Sequence, residues 1–379
     1  MKKIGLVAEC NPFITKKEWS GTISKVAEVL VSCGYDVKII LAKRPFWLKV
    51  FSRLRAEIFY FLFQKNTHIH YTTIEAKNYA KFLKHRIPND IDYLFVPAWT
   101  AFIAYLDYNK PIILMTDSTF KLNSSNYYPL ASNLSSYNYK EGNEIEQEGF
   151  DKSSIIICCS DWAKKSIIND YCQNCDKVHV LELGANFDNK EICYYQKKIM
   201  DNEVIDILFV GVEWERKGGD IAIETVRLLN EKGIASRIHV VGTNIPAKYK
   251  GLEYIIEYGF LDKNLKSQYL KLLQLYRNCH LLLVPTKAEA AGIMFSEASA
   301  WGMPCITFDT GGIGNYVLDG VNGYKLPLGA SPADFANQIS LIIQPNQYAI
   351  LSQGARQLYI ELLNWQKWKS RIQDIIQKS

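Results

Sequence analysis

The chain has 379 residues, of which 48% are hydrophobic and 22% charged, enough for two α/β domains with separate cores rather than one small module. Its 44 Lys and Arg against 39 Asp and Glu leave a formal charge of +5, which suits anionic phosphates or lipids and, with no nucleic-acid motif beside it, argues against nucleic acid as a partner. No run approaches the roughly twenty apolar residues of a membrane span, and nine cysteines without a secretory signal argue for reduced thiols in a cytoplasmic protein.

The opening MKKIGLVAEC holds an apolar run too short for a signal peptide, so Lys3 to Ala8 reads as a first strand. A loop from Asn11 to Thr22, with Trp19-Ser20-Gly21-Thr22 at its end, leads into a helix through Leu30, for which Ser20 or Thr22 is a candidate N-cap. Further strands are expected at Val37 to Ala42, His68 to Thr72, Tyr93 to Val96, Ile112 to Met115, Ile155 to Cys158 and Val178 to Leu181. Between the second and third of all these strands, residues 43–66 mix Lys43, Arg44, Lys49, Arg53 and Arg55 with Phe46, Trp47, Phe51, Phe59, Phe61 and Phe63. That composition fits a basic aromatic helix resting on an anionic membrane surface; the alternative is a surface helix whose aromatics pack on the core. The run ILMTDSTF places Thr116, Asp117 and Ser118 after a strand. Cys172 and Cys175 have metal-ligand spacing, but no second pair completes a tetrahedral site, so they read as surface thiols.

A polar segment from about Asp188 to Asp206, carrying Lys190, Glu191, Lys197, Lys198 and Asp201, reads as an interdomain linker. The second half opens with IDILFVGVEWERKGGDIAIE, where Gly211 permits a tight turn and Arg216-Lys217-Gly218-Gly219 brings two cations to a flexible loop before a helix from Asp220. Strands are expected at Ile207 to Val210, Ile238 to Val241, Glu253 to Ile256, Leu281 to Val284 and Cys305 to Phe308. Glu289 falls in the loop after HLLLVP, Gly292 allows close backbone approach, and a short helix from about Ile293 to Trp301 carries Glu297 one turn inside. The start of that helix, at Gly292, Ile293 and Met294, points N–H groups at an anion and suits a diphosphate. The plainer alternative is a pair of solvated acids favoured by the helix dipole. Asp319 to Gly323 reads as a hairpin-type turn, and Trp365, Trp368, Ile372, Ile375 and Ile376 form one stripe of a final helix.

Strand, Glu loop, helix, Gly302-Met303-Pro304 and the Gly311-Gly312 turn follow in the order seen in the retaining GT-B glycosyltransferases of family four, the Glu-x7-Glu glycosyltransferases, which this chain resembles over nearly its whole length. The resemblance implies an α/β fold of two Rossmann-like domains whose parallel sheets face a central cleft. Residues 1–190 would bind the acceptor, 204–363 the nucleotide-sugar, and a helix over 364–379 would pack back on the first domain. In that family a Gly-rich turn, matched by Gly21, lies beside the donor phosphates. Lys217 matches the Lys of a Lys-Gly pair that holds the diphosphate. Val212 replaces the other basic residue, and Arg216 is its substitute. Gly259 and Leu261 would present backbone groups to the nucleobase, Glu297 would accept hydrogen bonds from the ribose diol, and Glu289 would reach the sugar. Many members carry a His after a central strand of the first domain; here Asp117 stands nearby, either taking over the contact with the donor sugar or serving as a cap.

The activity implied is transfer of a hexosyl unit, with retention, from a UDP- or GDP-sugar to a saccharide or lipid-linked acceptor in cell-envelope assembly. No cofactor is expected, the lack of an Asp-x-Asp near the donor elements argues against a metal, and the cysteine usage with the basic aromatic segment 43–66 suggests a cytoplasmic protein peripheral to the inner membrane. A double displacement needs a carboxylate about 5 Å from its partner, and none is evident; the resemblance implies front-face attack by the acceptor hydroxyl, with Glu289, Lys217 and Asp117 as the catalytic set. Two other readings remain, an NAD-type oxidoreductase, which lacks a Gly-x-Gly-x-x-Gly turn after either first strand, and a noncatalytic sugar-binding partner of another transferase.

Overall fold

A computed structural model describes residues 2–16, 18–43, 45–128, 132–200 and 203–378. Arg44 and Asp201, named above for their charge, lie outside the described residues. The chain forms two compact units, Met1–Leu181 with Lys369–Ser379, and Glu182–Trp368.

The first unit alternates strands and helices in chain order. It begins with β1 (Lys3–Ala8), α1 (Thr22–Ser32), β2 (Asp36–Leu41), α2 (Phe46–Phe63) and α3 (Thr73–Lys84). There follow β3 (Tyr93–Pro97), β4 (Ile112–Thr116), α4 (Phe120–Leu122), α5 (Ser136–Lys152), β5 (Ile155–Cys158), α6 (Asp161–Asp170) and β6 (Val178–Val180). The strands form one sheet in the order β2-β1-β3-β4-β5-β6. Its ladders are all parallel among the described residues. β3, β4 and β5 are buried along their whole length, as continuous apolar runs covered on both faces require.

The second unit repeats the plan. It holds β7 (Ile205–Val210), α7 (Trp214–Lys217), α8 (Gly219–Glu231), β8 (Ser236–Val241), β9 (Ile255–Gly259), α9 (Lys266–Asn278) and β10 (Leu281–Leu283). Then come α10 (Ile293–Ala300), β11 (Cys305–Phe308), β12 (Gly323–Leu326), α11 (Pro332–Ile342) and α12 (Pro345–Glu361). The sheet order is β12-β11-β10-β7-β8-β9, again parallel. The last helix, α13 (Trp365–Lys378), buries Trp365, Trp368, Ile372 and Ile376. Its residues from Lys369 onward belong with the first unit, where Lys369 Nζ donates to the Ser32 carbonyl at 2.6 Å.

Several expectations give way to the structure. His68 to Thr72 is no strand: Ile69–Tyr71 is a 3-10 turn, Thr72 caps α3, and Tyr71 packs on Phe120 at 4.8 Å between ring centroids. An alternating pattern suits a strand edge and an aromatic wedge equally, and here burial of Tyr71 decides. Asp319 to Gly323 does not close a hairpin, because β12 runs parallel to β11. Arg216 and Lys217 sit in the helical turn α7 rather than a flexible loop. Gly21 is itself the N-cap of α1, with no side-chain cap. Residues 182–200 lie inside the second unit, where Lys197 is buried and its Nζ donates to the carbonyls of Tyr276 and Cys279. Burial pulls that amine down to about 8. Cys172 and Cys175 are exposed free thiols.

Candidate active site

In an open parallel sheet the crevice forms where neighbouring strands send their connections in opposite directions, at the carboxyl ends of the strands. In the second unit that point lies between β7 and β10, since the chain runs outward from β7 through β8 and β9 and then returns to β10 on the other side. The segment after β7 holds Arg216 and Lys217; the segment after β10 holds Glu289.

Lys217 is buried, and its Nζ donates to Glu289 Oε2 in a short hydrogen bond, with Met294 Sδ at 3.9 Å. Arg216 donates to both carboxylate oxygens of Glu213, at 3.0 and 2.8 Å, and to the Ala288 carbonyl at 2.6 Å, while its Nη1 stands 3.7 Å from Glu289 Oε2. Glu289 therefore has two cations within 4 Å, and the cluster gathers Arg216, Lys217, Glu289 and Met294 around one point. Backbone bonds tie the same segments together: Lys287 N–H donates to the Arg216 carbonyl at 2.8 Å and Gly312 N–H to the Glu289 carbonyl at 2.9 Å.

Two glycines make the approach possible. Gly218 has φ +74, and a Cβ there would stand 2.1 Å from the Pro285 carbonyl oxygen, so no other residue lets α7 turn into α8 against β10. Gly292 caps α10, and a Cβ there would meet the Phe295 ring at 2.3 Å. Close packing of the Phe295 ring is thus one structural demand for glycine at position 292. Gly211 lies against the Lys217 side chain.

Glu297 is almost fully buried on α10. Its Oε1 accepts from Lys263 Nζ and its Oε2 from the Tyr276 hydroxyl at 2.9 Å. Burial first, and the Glu297 charge second, push the Tyr276 phenol well above its usual range. Lys263 follows Gly259 and Leu261, so this ion pair ties the loop beyond β9 to α10. Neither Lys263 nor Tyr276 was singled out from the sequence. The available signal was a lone Lys in the GFLDKN loop after a strand.

The first unit has its own switch point, between β1 and β3. A cavity of about 390 Å³ opens there, walled by Glu18, Trp19, His68, Trp99 and Asp117 among others. Trp19 Nε1 donates to Asp117 Oδ2 at 3.0 Å, and His70 stacks on Trp99 with ring centroids 4.6 Å apart. Trp19, Ser20 and Ala98 have positive φ, and Gly21 has φ +88. Such strain gathers where backbone is held for function. Gly21 and Asp117 belong to this unit, and the remaining expected site residues to the other.

Beside this cavity Glu146 is buried, accepting from Thr100 Oγ1 and from Phe120 N–H. Burial raises its carboxyl from 4.5 up to about 7. The folded chain thus holds a proton that the unfolded chain releases near 4.5, so the stabilisation is full below that pH and is lost as pH rises toward 7. His68 works oppositely: burial lowers its imidazole to about 4, so its contribution is lost as pH falls from 6.5. Glu146→Gln is therefore expected to remove a decline of roughly 1–3 kcal/mol between pH 4.5 and 7. Urea denaturation of both chains across that range reads the difference, and parallel curves would count against a protonated Glu146.

Two parallel six-stranded sheets, each with helices, define a chain of the GT-B fold. Residues 195–358, within the second unit, match the model of the family described as glycosyl transferases group 1. A D-inositol 3-phosphate glycosyltransferase of Geodermatophilus obscurus is 29% identical over 176 residues, covering 44% of this chain and 38% of the relative. Alignments with the first curated relatives take in only 38% to 54% of those relatives' lengths. Among solved structures, a glycosyltransferase from Rickettsia africae superposes with a TM-score of 0.68 at 16% identity, covering 100% of this chain and 98% of that one. The Anabaena protein Alr3699/HepE, in complex with UDP and glucose, gives 0.65 at 14% identity with full coverage of both chains.

Proposed function

We propose that this chain is a retaining, metal-independent glycosyltransferase that moves a hexosyl unit from a UDP- or GDP-sugar to a hydroxyl of a saccharide or lipid-linked saccharide. Its place is cell-envelope polysaccharide, lipopolysaccharide or glycolipid assembly, peripheral to a membrane through residues 43–66. The observation that carries the reading is the meeting of Lys217 and Arg216 with Glu289 at the switch point of the unit that matches the group 1 model. The Anabaena fold relative bound to UDP and glucose supports a nucleotide-sugar donor.

In this reading Lys217, Arg216 and the start of α10 at Gly292, Ile293 and Met294 take the diphosphate. The guanidinium grips two oxygens where the ammonium acts as a point charge. Gly211 gives the phosphates and Lys217 room. Gly259 and Leu261 face the base, Glu297 the ribose, and Glu289 the sugar hydroxyls. The acceptor oxygen bonds to the anomeric carbon on the face from which the phosphate oxygen departs. The acceptor proton passes to that departing oxygen, so no enzyme carboxylate becomes covalently attached. Charge building on the leaving diphosphate is the main thing to stabilise. In the same reading Gly21 serves the donor phosphates and Asp117 the donor sugar, and the first unit, with its Trp19–Trp99 cavity, receives the acceptor.

A thermal-shift screen with UDP- and GDP-sugars, followed by transfer assays, tests the reading. Glu289→Gln is expected to keep the donor-induced shift while lowering turnover by 10²-fold or so. Unaltered turnover in that variant, or no shift with any nucleotide-sugar, defeats it.

A further inference from the structure

Helix α2 has only two buried residues, Leu48 and Ser52, in 18 positions. Ser52 Oγ donates to the buried Glu75 carboxylate on α3, which together with Leu48 fixes the inner face of the helix. The outer face is apolar: Trp47, Phe51, Leu54, Ile58, Phe61 and Leu62 are all exposed, Phe61 to 80%. None of the aromatics of α2 is buried and only Phe59 is half-buried, so they do not pack in the domain core.

At 100° per residue the stripe from Val50 to Leu62 spans an arc of about 120°, with Lys49 and Arg53 beyond one edge and Arg55 at the other. Glu57 is the one acidic residue of the helix. Among the described residues no helix is long and apolar enough to cross a membrane. An exposed apolar arc on a helix with three cations (Lys49, Arg53, Arg55) to one acid, Glu57 at the Val50 edge, matches a helix lying in the plane of a lipid interface, aromatic and aliphatic side chains among the acyl chains and basic groups reaching back to headgroups.

We infer that α2 docks the first unit onto an anionic bilayer, inserting Trp47, Phe51, Leu54, Ile58, Phe61 and Leu62 while Lys49, Arg53 and Arg55 engage phosphate headgroups. The inference deepens the proposed function, resting on it only for the lipid-linked acceptor that the surface would supply. A second copy of the chain is the less suitable occupant. Pairing two such helices brings together two surfaces of net positive charge, three cations to one acid on each, whereas acidic headgroups complement that charge.

The test uses the full chain and sedimentation with phosphatidylglycerol–phosphatidylcholine vesicles against pure phosphatidylcholine. Binding to the anionic vesicles is expected at low salt, weakening as salt screens the attraction. Arg53→Gln with Arg55→Gln should weaken partitioning roughly thirtyfold. Leu54→Ser with Phe61→Ser should abolish it, with the thermal midpoint unchanged because both side chains are exposed. No binding of the unaltered chain to anionic vesicles overturns the inference. So does a lipid-free dimer that Leu54→Ser with Phe61→Ser converts to monomer, which assigns the face to self-association. The donor-induced thermal shift reads the transferase proposal separately, since none of these variants touches the second unit.

Discussion

Replacing Lys217 with methionine is expected to lower turnover by roughly 10²- to 10³-fold, the cost of removing one preorganised charge aimed at a developing anion. The residue is placed by four features acting together: the end of β7, the helical turn α7, the Gly218 turn against Pro285, and the bond to Glu289. Loss of the ammonium also leaves the Glu289 carboxylate with Arg216 at 3.7 Å as its remaining cation. Stability should fall by about 2–3 kcal/mol, less than for a fully isolated buried charge. A double-mutant cycle separates the two effects. Lys217→Met with Glu289→Gln should recover most of the stability and none of the turnover. Recovery of turnover in the double variant would reduce Lys217 to a structural neutraliser.

Glu297→Ala is expected to have the largest effect on folding, about 3–5 kcal/mol, because it strands Lys263 and the Tyr276 hydroxyl at a nearly buried position. Glu297→Gln keeps an acceptor for Tyr276 and should cost less. For the proposed donor role, calorimetric titration with the cognate nucleotide should show Glu297→Gln binding about tenfold more weakly with a near-normal thermal midpoint, the separation that a purely structural role does not produce. Lys263→Met supplies the companion test. It should destabilise as strongly as Glu297→Ala, and combining it with Glu297→Gln should restore much of the loss, since removing both partners leaves no buried charge. Equal donor affinity in Glu297→Gln and the unaltered chain would confine Glu297 to holding the loop after β9 against α10.

The strands were legible because a buried parallel strand must be a short apolar run bounded by breakers: ILMT, IIIC and CITF read as strands and are strands. GYKL was not legible, since β12 is a sheet edge, only partly buried, and carries Lys325. The Glu289 and Lys217 segments stood out by residue type and spacing.

By itself the sequence determined the alternation of strand and helix, the two-unit α/β plan and a short list of charged candidates for the site, because hydrophobic period, turn residues and residue type are local properties. Only the tertiary structure decided which charges meet. Lys217 with Glu289 are 72 residues apart, and Lys263 with Glu297 34. Lys197 looked like solvated linker charge and is buried. The aromatics of α2 looked able to turn inward and face outward. Pairing and burial depend on where distant strands place their ends, and no local pattern of residues encodes that.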